Sequence, residues 1–121
     1  MKTDDLLTFI SGNVPYTYYP NSFPVTAPDD CGVVRLTGGS GPTSTLLKPS
    51  FQVLIRSAHP RTAEAKAWEV FNFLNLKTGF DVGLTHVVFC TAQQSTPLFI
   101  GEDENGRSLY SVNFNTISEV F

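Results

Sequence analysis

The stretch Ser50–Asn75, SFQVLIRSAHPRTAEAKAWEVFNFLN, changes its hydrophobic period once, and that change decides the fold. In its first part Phe51, Val53 and Ile55 alternate with Gln52, Leu54 and Arg56. Successive side chains of a strand point to opposite faces, so the two sets lie on opposite sides of a sheet. From Pro60 the period becomes helical. Ala63, Ala67, Val70, Phe71 and Leu74 recur at intervals of three and four, and Trp68, Phe73 and Leu76 widen the stripe. Most of this helix is therefore expected to be covered. Pro60 suits a first helical position, where its missing N–H costs nothing. A strand that feeds a helix within a few residues predicts two packed layers.

Outward from this unit, Thr85–Ala92 (THVVFCTA) reads as a strand, with Lys77-Thr78-Gly79 as the connection before it. PLFI and RSLYSVNFNTI form a terminal pair of strands. Between them Asn105 and Gly106 suit the positive φ angles of a type I′ hairpin turn. On the N-terminal side, Cys31–Gly39 (CGVVRLTGG) is strand-like and ends in two glycines. Ser40–Pro49 has the Gly, Pro, Ser and Thr of a mobile loop, in which Leu46 and Leu47 find no core partner. Val14–Asp30 carries four prolines and reads as extended, with an edge strand near Pro15–Tyr19. Thr3-Asp4-Asp5 offers an N-cap and first-turn acids for a short helix that Gly12-Asn13 ends. The expected fold is one α+β domain over residues 1–121: a mainly antiparallel sheet of four to five strands with two helices on one face. Its expected core is Phe51, Val53, Ile55, Trp68, Phe71, Leu74, Tyr110, Val112 and Phe114.

Composition narrows the function classes. Charged residues are 16% of the chain, against about a quarter in an average soluble domain. A surface poor in charge suits contact with other protein. A net charge of -3 argues against binding nucleic acid through bulk electrostatics. Two cysteines are too few for a disulfide framework, and Cys31 and Cys90 read as buried thiols. The N-terminus lacks the apolar run of a signal peptide, and no stretch approaches the ~18 apolar residues of a membrane span. The chain is expected to be made in a cytoplasm, away from membranes.

Catalytic, cofactor and metal sites are not expected. Glu102-Asp103-Glu104 are adjacent, so they point apart, and the following residues lack the far Glu of a calcium loop. They read as the solvated flank of a hairpin. His59, His86, Cys31 and Cys90 have no metal-ligand spacing. TGGSGPTST lacks the Gly-Lys-Ser/Thr ending of a phosphate loop. What remains is surface: Gln52, Arg56, Ser111 and Asn113 share a polar sheet face, and Leu54 in the same row suggests a face that meets more than water.

Several segments together resemble one family. CGVVRLTGG, PSFQVLIRS, AEAKAWEVFNFL and PLFIGEDENGRSLYSVNF follow in the order seen in tail terminator and minor capsid proteins of long-tailed bacteriophages. The resemblance spans roughly residues 31–117, and Val14–Asp30 has no counterpart in it. It implies a structural protein of the virion, at the head–tail junction. Such proteins form a ring, usually of six subunits, that ends tail-tube polymerisation and meets the head connector. The implied partners are other copies of the chain, the tail tube protein and the connector protein. Subunit contacts are then expected on Gln52, Leu54, Arg56, Ser111 and Asn113, on Leu46, Leu47 and Lys48, and on Glu102, Asp103 and Glu104. Arg56 would make a forked pair with the acidic hairpin of a neighbour. A small intracellular protein-binding module, or a subunit of a larger complex with no phage role, is the alternative.

Overall fold

The computed structural model describes residues 1–119. Its elements in chain order are α1 (Thr3–Asn13), β1 (Tyr18–Pro20), β2 (Cys31–Leu36), β3 (Leu46–Leu47), β4 (Ser50–Ser57) and α2 (Pro60–Leu74), then β5 (Lys77–Val82), β6 (Thr85–Ala92), β7 (Leu98–Glu102) and β8 (Ser108–Glu119). The long β8 is the spine. On one side it pairs with β4 and, at its far end, with β3; on the other it pairs first with β7 and then with β6. The main path across the sheet is β1-β2-β4-β8-β6-β5. β1 runs parallel to β2, and the other described pairings are antiparallel.

The sheet is thus mixed and eight-stranded, larger than the four to five antiparallel strands the sequence suggested. The missed strands are the ones without a readable period. β5 opens with turn-type residues and contains Gly79 at φ 58°. β3 has two residues, too short for any alternation to show. β1 is the edge strand expected near Pro15–Tyr19, and it runs parallel to β2.

Register explains the core. Phe51 faces Phe114, Val53 faces Val112 and Ile55 faces Tyr110 across β4 and β8, and the two Phe rings stack 5.0 Å apart. On this face lie Ala63, Ala67, Val70, Phe71 and Leu74 of α2 and Leu6 and Ile10 of α1. Each large apolar side chain so buried contributes about 1.5–3 kcal/mol. Trp68 and Tyr110 are half-buried: they pack on the rim of the core and do not fill its centre. α1 touches β1 and β2 near one edge of the sheet and also β5 at the opposite edge. The sheet therefore curls around it, and Phe9 stacks on Phe80 at 5.1 Å and meets Phe73 at 5.7 Å.

Local signals were honoured in part. α2 begins at Pro60 as read. α1 begins at Thr3, so Thr3 is inside the helix; Lys2 holds the cap position without a side-chain bond, and Asp4 and Asp5 face the positive end of the dipole. The hairpin at Asn105-Gly106 exists, but it is a three-residue loop and not a type I′ turn. Gly106 alone takes positive φ, at 75°. Gly106 N–H donates to the Asp103 carbonyl, and Asp103 N–H to that of Arg107. This is a turn closed by a glycine in the left-handed region, the next commonest hairpin solution. Asp103 selects it, because its carboxylate accepts the N–H groups of Asn105 and Arg107, both at 3.0 Å. No helix among the described residues is long and apolar enough to cross a membrane.

Candidate assembly surface

The sheet face opposite the helices was expected to be open. It is closed at one end. Arg56 is 4% exposed, Leu54 8% and Ser111 3%. The Pro-rich segment folds over Arg56: Nη2 donates to the Pro28 carbonyl at 2.7 Å, Nε to that of Asp29 at 3.3 Å, and the guanidinium lies 4.5 Å over the Phe23 ring. Arg56 does meet the acidic hairpin, but within its own chain: Nη1 is 3.9 Å from Asp103 Oδ2. Arg107 Nε donates to the same carboxylate at 2.8 Å, and its Nη1 reaches Asp29 at 3.3 Å. Ser57 donates to Asp30 at 2.6 Å. Two arginines and three aspartates therefore fasten segment 14–30 to β4 and to the hairpin. The signal was present in the sequence as Asp29-Asp30 at the end of the Pro-rich stretch, next to β2.

Partial burial alone would raise the Asp103 carboxyl. The Arg107 N–H and guanidinium and the Asn105 N–H outweigh it, and its pKa lies below the ordinary aspartate value. Asp103 is thus structural, while Glu102 and Glu104 on either side remain exposed.

Away from this lock, Gln52 and Asn113 keep part of their exposure within a row of neutral groups. Gln52 and Asn113 both donate to the Ser111 hydroxyl, at 2.8 and 3.0 Å, and Ser50 donates to Asn115 at 2.7 Å. The loop before β4 is less free than expected. Leu46 and Leu47 pair with Glu119 and Ser118 as β3, Ser40 bridges to Lys48, and Thr43 N–H donates to the Leu46 carbonyl. Gly39, at φ 92°, permits the close return: a Cβ there would sit 2.1 Å from the Lys48 carbonyl oxygen. Against this loop lies an open cavity of about 290 Å³, lined by Met1, Gly38, Ser40, Pro42, Leu47, Lys48, Pro49 and Ser118.

The most apolar exposed surface was not singled out from the sequence. Leu98, Phe99 and Ile100 of β7 are 38%, 57% and 51% exposed, on a strand whose described pairing is with β8 alone. The available signal was three consecutive apolar residues in a strand with no alternation. Both thiols are buried and free. Burial pushes Cys90 up to about 12, and it raises Cys31 against the opposing pull of Arg56. Both stay protonated at neutral pH, which removes the thiolate a nucleophile requires. Among the described residues, no three His, Cys, Asp or Glu side chains come together as a metal site. His86 instead pairs with Asp81 at 2.7 Å.

Fold and surface together define a small α+β domain whose distinctive features are exposed strands and loops, with the buried Arg56 committed to its own structure. Residues 9–120 match the family model described as bacteriophage tail terminator protein. The chain belongs to that family, a family of structural proteins of the phage tail. A search of curated protein sequences finds no match.

Proposed function

We propose that this chain forms a ring, of six subunits, at the head-proximal end of the phage tail. There it ends polymerisation of the tail tube and offers the surface to which the head connector binds. It acts by contact, without catalysis. The observation that carries this reading is membership of the tail terminator family over nearly the whole chain. A ring of identical subunits needs two different surfaces on each copy, joined by a rotation that closes. The exposed apolar residues of β7 and the cavity beside Lys48 are two such surfaces. Of the residues expected at subunit contacts, Leu47, Glu102 and Glu104 are exposed, while Lys48, Gln52 and Asn113 are partly so. We retain these six for contacts. Arg56, Leu54 and Ser111 are buried in the single chain, and Asp103 is engaged by arginines; Leu46 contributes mainly through its strand pairing.

The test is removal of the gene from the phage that carries it. Lysates should then contain filled heads and separate tails of irregular length, with joining restored by the purified chain. Normal infectious particles without the chain would exclude the reading.

A further inference from the structure

We infer that the subunit contact is a knob and a pocket: Phe99 and Ile100 of β7 enter the cavity beside Lys48 on the next copy. This deepens the ring reading and rests on it. The knob stands at the margin of the core: Leu98, Phe99 and Ile100 stay exposed, with the Phe99 ring resting on Tyr110 at 5.4 Å. Gly101, at φ 108°, accompanies a register shift between Phe99 and Gly101. A bulge of this kind twists an edge away from continuous strand pairing. β7 thus presents side chains more readily than a backbone ladder.

The pocket has matching chemistry. Met1, Pro42, Leu47 and Pro49 give apolar walls, and Lys48 places a cation at its side. Glu102 and Glu104 flank the knob as exposed anions, so the charges of the two surfaces are complementary. Ser118 closes the inner end of the pocket. Its hydroxyl is fully buried in the pocket lining and has no hydrogen-bond partner among the described residues.

Geometry directs the knob to another copy. β7 pairs with β8 at Ser108–Ser111, whereas the pocket lies at Ser118. Seven residues of strand separate Ser111 from Ser118, roughly 23 Å at ~3.3 Å per residue. A chain cannot fill its own pocket with its own β7, and a head-to-tail contact with a second copy satisfies both.

The experiment uses Ile100→Asp in the knob and Leu47→Asp in the pocket, read by size exclusion with light scattering beside the ring-forming wild type. Both positions are exposed, and circular dichroism with denaturation midpoints checks that each variant is folded. Each variant alone should be a monomer. Mixed in equal amounts, they should give a dimer and stop, because one intact knob then meets one intact pocket. Charge reversal gives a second readout: Lys48→Glu should lower the ring fraction at least tenfold, and adding Glu102→Lys in the same chain should restore most of it. Variants that form rings like the wild type, a mixture that stays monomeric, or a charge reversal with no effect would overturn this contact. If those variants also terminate tails normally, the terminator reading stands without it. A wild type that forms no ring, even on tail tubes, overturns both.

Discussion

At the scale of single residues, Arg56 shows how one buried cation organises distant sequence. It joins β4 to a proline-rich segment and to the β7–β8 hairpin, through carbonyls, a ring face and a carboxylate. Arg56→Met should cost about 2–4 kcal/mol in chemical denaturation, because charge-assisted hydrogen bonds worth roughly 1.5–3 kcal/mol each are lost while the stem still packs. Arg56→Glu should leave little folded protein, since it places an acid among Asp29, Asp103 and two carbonyls. A reversal that folds and melts like the wild type would contradict the buried lock. Asp103 makes the complementary prediction. Its carboxyl is held below the ordinary value, so the unfolded chain takes up its proton first as pH falls. The contribution is fully present above the unfolded value of about 4 and disappears as pH drops through the folded value. Asp103→Asn should flatten the acid limb of a stability–pH profile, leaving the difference from wild type largest at neutral pH. An unchanged acid limb would show that the hairpin carboxylate is not engaged.

At the scale of elements, α2 and the β4–β8 pair carry the core, and they were the legible part of the fold. Phe51, Val53 and Ile55 announce a strand, and Pro60 with its apolar stripe announces the helix that covers it. Phe71→Ala should cost about 3–5 kcal/mol, as truncation of a closely packed aromatic does. A denaturation midpoint that hardly moves would show that this face of α2 is not the covered one. The loop before β4 was legible only as turn-forming composition. Its order comes from pairing with residues 118 and 119, a contact between distant segments that no local pattern records. Gly39→Ala should therefore expose the β3 amides: the Cβ collides with the Lys48 carbonyl, and a strained φ adds about 1–3 kcal/mol. Faster hydrogen exchange at Leu46 and Leu47 is the expected result; unchanged protection would place the strain elsewhere. The candidate surface was half legible for the same reason. Glu102, Glu104, Leu47 and Lys48 could be named, but the strap that closes over Arg56 is a tertiary event. β7 was recognised as a strand, while its exposure depends on β6 and β7 sharing one side of β8.

At the scale of the whole molecule, the chain combines few charges, a curled sheet with an apolar strand left outside, and membership of a family that acts on the phage tail. Its buried ion pairs hold its own segments together, and what it offers to partners is the apolar area of β7, the cavity beside Lys48 and the charges of Lys48, Glu102 and Glu104. That suits the proposed role of occupying the end of a polymer. The direct measurement is the length of tail tubes assembled from purified tube protein, scored by electron microscopy with and without this chain. Added chain should cap one end of each tube, stop its growth and shift the length distribution downward in proportion to its concentration. Tubes of unchanged length, with no chain bound at either end, would contradict the account.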